Sequence, residues 1–126
     1  MITQITIETI LNAHGLKWTK EHKFHDKRKF RFDYAIPDIM LAIEYEGGTW
    51  SGGAHTRGKQ YSSDCGKYNL AQINGWIVLR YTADTVKNIE QIYNDILDVR
   101  KYRRNEDDRK NTAYSSRMGA IDIAIS

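Results

Sequence analysis

The sequence predicts an α/β domain with a mixed central sheet flanked by helices. Three observations predict it. Residues 30–36 and 41–46 alternate apolar and polar side chains with the two-residue period of a strand. Residues 76–81 (Trp-Ile-Val-Leu-Arg-Tyr) form a nearly continuous apolar run of strand length. Apolar residues recur at helical spacing before the first of these blocks and after the last.

Taken in order, residues 5–13 predict a short helix, with Ile5, Ile7, Ile10 and Leu11 on one broad side and Gly15 as its stop. Residues 17–24 are strand-like but poorly patterned, and 27–29 form a basic turn. In the next strand Phe30, Phe32, Tyr34 and Ile36 share one face, and Arg31, Asp33 and Ala35 the other. Pro37-Asp38 signals a turn. Leu41, Ile43 and Tyr45 then alternate with Ala42, Glu44 and Glu46. Residues 47–53 hold four glycines, which let the backbone approach something closely or move. A helix is predicted over 61–74, with Tyr61, Cys65, Tyr68 and Ile73 inward and Gly75 as its terminator. The 76–81 run reads as a strand covered on both faces. Asp84 is placed to cap a last helix carrying Val86, Ile89, Tyr93, Ile96, Leu97 and Arg100 at helical spacing. Residues 1–103 thus make one domain, and 104–126 a charged C-terminal tail. The alternation in 120–125 suits a terminal edge strand, a dimer contact, or a tail that orders only in a complex.

With 126 residues the chain can bury a real core, and its spread of aliphatic and aromatic residues excludes a disordered protein. No apolar run approaches the length of a membrane span, so no membrane partner is expected. The start lacks a signal-peptide layout and Cys65 is the single cysteine, so a cytoplasmic setting is expected. The net charge of +3 says little by itself, but its distribution says more. Basic blocks at 20–23 and at 27–31, ending in Arg31, precede the acidic residues. A third, His55 to Lys59, follows them. Each block is also what a solvated face looks like, but flanking an acidic cluster they suit an anion-binding groove with a cation at its centre. His22, His25 and Cys65 lack the second close ligand pair of a structural zinc site.

The acidic cluster is the chemical centre of the sequence. Two residues apart on a strand, Glu44 and Glu46 share a face, and an even connection between the strands brings Asp33 to it. On that register Phe32, Tyr34, Leu41, Ile43 and Tyr45 form the core face and the carboxylates lie on the outer side. Like charges roughly 5 Å apart at an effective dielectric of about 20 repel by about 3 kcal/mol. A divalent cation relieves this, and an all-oxygen ligand set of Asp33, Glu44 and Glu46 suits Mg²⁺ or Mn²⁺. For an arbitrary Glu-x-Glu, the commoner explanation is a solvent-facing strand.

Three segments together, Arg31-Phe32-Asp33-Tyr34-Ala35-Ile36-Pro37, Leu41-Ala42-Ile43-Glu44-Tyr45-Glu46-Gly47-Gly48 and Gly75-Trp76-Ile77-Val78-Leu79-Arg80-Tyr81, resemble the PD-(D/E)XK nuclease superfamily. The closest likeness is to its very-short-patch mismatch-repair branch, over about residues 23–86. The resemblance implies a restriction-endonuclease-like αβββαβ core, metal-dependent phosphodiester hydrolysis, DNA as substrate, and a bacterial or phage origin. It places Asp33 on the motif aspartate, Glu44 on the next acidic position, and Glu8 on an extra acidic position found in some members. The usual motif lysine is replaced by Glu46, which cannot supply positive charge. Lys67 is the first candidate for a displaced lysine and Lys59 the second. The resemblance also places His55 in a loop where relatives keep histidines near the metal, as general acid or phosphate contact.

Arg57, Lys59 and Arg31 are the candidate DNA contacts, phosphate contacts serving to position the duplex without reading it. Trp50 either stacks on or wedges between bases, or closes the core. The expected function is a metal-dependent DNA endonuclease, directed by a mismatch, branch or nick, with a homodimer suited to cutting two strands. The alternatives are a DNA-binding module of the same fold that has lost catalysis, and an RNA-processing nuclease.

Overall fold

The computed structural model describes residues 2–46, 54–84 and 88–125, with side chains throughout except over 54–61 and 120–125. Helix α1 (Gln4–Ala13) is followed by β1 (Thr19–Lys23), β2 (Arg31–Ile36), a 3-10 turn (Pro37–Ile39) and β3 (Leu41–Tyr45). Helix α2 (Ala54–Ile73), β4 (Ile77–Tyr81) and α3 (Glu90–Ile125) complete the chain. The sheet order is β1-β2-β3-β4. The first three strands are antiparallel; β4 runs parallel to β3, so α2 is the crossover that parallel pairing needs. Among the described residues no helix is long and apolar enough to cross a membrane.

Local chemistry sets the element ends. Thr3 and Thr6 exchange hydrogen bonds in a capping box that starts α1. Gly15 and Gly75, both at positive φ, end α1 and α2 where a side chain on Cβ would be strained. The α3 start is later than Asp84 implied: Asn88 Oδ1 accepts from the Glu90 N–H at 3.0 Å at the first turn.

Both faces of the sheet are covered. One carries Tyr34, Ile36, Leu41 and Ile43 against Ile7, Ile10 and Leu11 of α1 and Ile92, Ile96 and Val99 of α3. Each fully buried aliphatic side chain here contributes about 2 kcal/mol. The other face, beneath α2, is a smaller cluster of Phe32, Ala35, Ala42, Ala71 and Trp76. Leu41, Ala42 and Ile43 alternate between the two layers, as strand geometry requires.

Four sequence expectations change. Strand β4 lies at the sheet edge and is only half-buried, though Ile77 and Leu79 pack against one core layer and Val78 against the other. Helix α2 begins seven residues before position 61, and Ile73, expected inward, is 80% exposed because Gly75 turns the chain just beyond it. Leu97 and Ile89 are exposed too, the α3 core stripe being Ile92, Ile96 and Val99. Finally, the C-terminal tail forms no edge strand over 120–125, because α3 continues unbroken to Ile125. The tail has no proline, and at its start Glu106 pairs with Arg103 at 3.0 Å, one turn apart on the helix. Arg103 also donates to the carbonyls of Ile39, Met40 and Gly75 at 2.8, 3.2 and 2.7 Å, tying α3 to both turns that lead into β3 and β4.

Candidate active site

The even connection Pro37–Met40 sets the pairs Ile36↔Leu41, Ala35↔Ala42 and Tyr34↔Ile43, so Asp33 and Glu44 come next, opposite one another. There the ladder changes character. The Asp33 N–H donates to Glu44 Oε2 at 3.3 Å, and the Tyr45 N–H donates to Asp33 Oδ2 at 2.8 Å. Two carboxylates thereby take places that backbone carbonyls would hold in a regular ladder. On the β1 side, Glu21 adopts φ 54 between the paired positions Lys20↔Tyr34 and His22↔Phe32. Strand β2 is therefore irregular at Asp33 on both edges.

This irregularity overturns the expected facing of Phe32. Instead of joining Tyr34, it lies beneath α2, its ring stacked on Phe24 at 4.1 Å and tilted against Trp76 at 5.0 Å. The acidic face is not an outer side either: α2 covers it, and Glu44 is 3% exposed.

Burial of a carboxylate requires a partner, and α2 brings one. Lys67 Nζ makes an ion pair with Glu44 Oε1 and lies 5.8 and 5.6 Å from the centres of the Phe32 and Tyr68 rings. Oε1 is sealed from solvent and, apart from that ion pair, has no hydrogen-bond donor among the described residues. Burial pushes the Glu44 carboxyl from 4.5 up to about 7; the neighbouring Asp33 adds to the rise and Lys67 opposes it.

Glu46 stands apart. Its Oε1 accepts from Arg80 Nε at 2.7 Å, pairs with the Arg80 Nη2, and accepts from the Tyr68 hydroxyl at 3.2 Å. Burial raises the Tyr68 phenol well above its ordinary value, with Glu44 and Glu46 adding and Arg80 opposing, so this hydroxyl remains a donor. Among the described residues no three His, Cys, Asp or Glu side chains are grouped closely enough to hold a metal. The expected trio is thus a pair, Asp33 and Glu44, with Glu46 held by Arg80.

The other candidates are dispersed. Glu8 pairs with Lys20 at 3.1 Å. Arg31 is exposed and its Nη1 donates to the Glu21 carbonyl at 3.5 Å, within the β1–β2 hairpin. Trp50 lies outside the described residues, as do the side chains of His55, Arg57 and Lys59, whose backbone forms the first turns of α2. Two members of the site escaped sequence reasoning. The helical pattern marks Tyr68 only as an inward residue, and the apolar run marks Arg80 only as part of a covered strand. The signal for Arg80 was its position as the single charge in the 76–81 run.

Compared with protein-family models, curated proteins and solved structures, the chain matches none.

Proposed function

We propose that the chain is a divalent-metal-dependent DNA endonuclease with a restriction-endonuclease-like core, acting on structured DNA such as mismatches, branches or nicks. The element order α1-β1-β2-β3-α2-β4, with an antiparallel β1-β2-β3 and a helical crossover to β4, supports that core. The observation that carries the activity is the seating of Lys67 on the buried Glu44 beside Asp33. Here α2 returns the positive charge that the third motif position has given up to Glu46.

The residues fit a cation held by two carboxylates. Asp33 and Glu44 offer hard oxygen donors, and Glu44 Oε1, buried with the Lys67 ammonium as its one partner among the described residues, keeps a lone pair for a cation. Water and substrate phosphate oxygens would complete the shell, as is usual for Mg²⁺. When bound, Mg²⁺ or Mn²⁺ supplies a more acidic water and stabilises charge on the phosphoryl oxygens. The Tyr45 N–H fixes the Asp33 carboxylate against β3. Lys67 holds its ammonium at the Glu44 oxygen, where it orients an attacking water and offsets charge developing on the phosphate. Basic residues 20–31 and 57–59 contact the backbone of the duplex, and a homodimer would set two such sites on two strands.

The test is incubation of the protein with plasmid, linear and branched DNA, and matched RNA, in Mg²⁺, Mn²⁺ or EDTA. Cleavage of DNA in either metal and none in EDTA is expected; no metal-dependent cleavage of any DNA rejects the proposal. A second reading, an inactive DNA-binding module, is favoured by one observation, the engagement of Glu46 by Arg80 and Tyr68. Asp33→Asn separates the two. An endonuclease loses cleavage and keeps binding, whereas a binding module, cutting nothing, binds as well or better.

A further inference from the structure

Beside the acidic pair, between α2 and the outer edge of β4, lies a groove of about 370 Å³ lined by Tyr68, Gln72, Trp76, Ile77, Val78 and Arg80. The reading as an endonuclease makes no use of it. Its apolar side chains are Val78 and Trp76, which belong to the layer beneath α2, whereas the Ile77 side chain packs on the other face of the sheet; its polar residues are Gln72, Tyr68 and Arg80. That composition suits a flat, largely apolar ligand with hydrogen-bonding edges.

Arg80 is arranged in an unusual way for a half-exposed arginine. Its Nε and Nη2 both meet the same Glu46 oxygen, and its guanidinium lies 4.3 Å from the centre of the Tyr68 ring. Ordinarily such a side chain must give up rotamer freedom on binding. Here Glu46 and Tyr68 have already fixed the guanidinium plane, while the side chain keeps 47% of its surface exposed. A guanidinium held flat stacks on a nucleobase. Tyr68 joins this groove to the acidic pair, because the Lys67 ammonium that meets Glu44 lies 5.6 Å from its ring.

We infer that the groove receives one unpaired nucleobase, stacked on Arg80 with its edge read by Gln72, next to the phosphate presented to Asp33, Glu44 and Lys67. This rests on the endonuclease reading and narrows its substrate to DNA with an unpaired nucleotide. It also gives Glu46 a role as a positioning residue: the position that lost the motif lysine now orients Arg80. A base in a continuous duplex is stacked between its neighbours and enters only at the cost of unstacking and unpairing. A bulge, mismatch or branch offers one at little cost.

The test uses the full chain in Ca²⁺ with three fluorescent DNAs of equal length: a perfect duplex, the same duplex with a one-base bulge, and a single strand. The bulged base is 2-aminopurine, whose emission reports stacking. Wild type should bind the bulged duplex about tenfold more tightly than the perfect one and quench the probe, the size expected of one base stacked on a fixed platform. Arg80→Lys keeps the charge and removes the plane. It should erase that preference and the quenching while leaving perfect-duplex affinity within about twofold. Gln72→Ala, at an exposed helix position, should lower bulge affinity with the thermal melt unchanged, so the result does not hang on Arg80→Lys folding normally. Equal loss on bulged and perfect duplexes, or none on either in both variants, overturns the inference while leaving the endonuclease reading intact. Wild type that binds no DNA removes both.

Discussion

Replacing Glu44 by glutamine should change how folding stability depends on pH. In the wild type the Glu44 carboxyl is 3% exposed, and burial raises it from 4.5 to about 7. A group raised on folding binds its proton more tightly in the native state than in the unfolded one. Between these two values the native chain is protonated at Glu44 and the unfolded chain is not, so stability falls as pH rises. The contribution is fully present below 4.5 and lost as pH passes about 7. At about 1.4 kcal/mol per pH unit, the loss across the window is roughly 3 kcal/mol. The substituted glutamine keeps the size of the side chain and an oxygen for the Asp33 N–H but has no proton to lose. Urea unfolding followed by circular dichroism in EDTA, from about pH 4.5 to 8, should show the variant gaining on wild type by roughly 3 kcal/mol over that interval. Millimolar Mg²⁺ at about pH 7.5 should raise wild-type stability and leave Glu44→Gln unmoved, because binding acts only through a state that can ligate. A wild-type-minus-variant difference that is constant with pH would refute the reasoning about Glu44, whatever the protein cleaves.

Other substitutions probe the remaining parts. Lys67→Met should reduce metal-dependent plasmid nicking by about a hundredfold or more, as expected when a preorganised charge leaves a reacting phosphate. It should also lower stability at about pH 8 by about 3 kcal/mol, because a buried carboxylate loses its cation, and by less at about pH 5; both are read by nicking and urea titration. Phe32→Ala should cost about 3–4 kcal/mol, measured by the same titration, since the ring is fully buried among Phe24, Trp76 and Ala71. Arg103→Ala should cost about 2 kcal/mol and speed amide exchange at Met40 and Ile77. Three carbonyls lose a charged donor there, and the Ile77 N–H itself bonds to the Met40 carbonyl. An unchanged exchange rate at both amides would show that α3 is not anchored through Arg103.

Much of this protein was determined by its sequence alone, where the pattern is local. The two alternating strands, the helix beginning near Gln4, the glycine stops at Gly15 and Gly75, and the opposition of Asp33 and Glu44 all follow from periodicity, turn chemistry and an even connection. Lys67 was reachable as a candidate because a missing charge had to come from somewhere. What only the tertiary structure decided depends on what packs against each face. Alternation says that Glu44 and Leu41 point opposite ways, but not that α2 will cover the acidic side and bury Glu44. The strand period also assumes an unbroken ladder, and at Asp33 side-chain carboxylates replace ladder partners, which carries Phe32 to the other layer. Whether residues 120–125 form strand or helix was settled by the continuity of α3 beyond the body, which their period-two alternation does not reveal. The division of the acidic residues has the same origin. Three carboxylates close in sequence find different partners, because Lys67 and Arg80 arrive from separate elements that meet only in the folded chain.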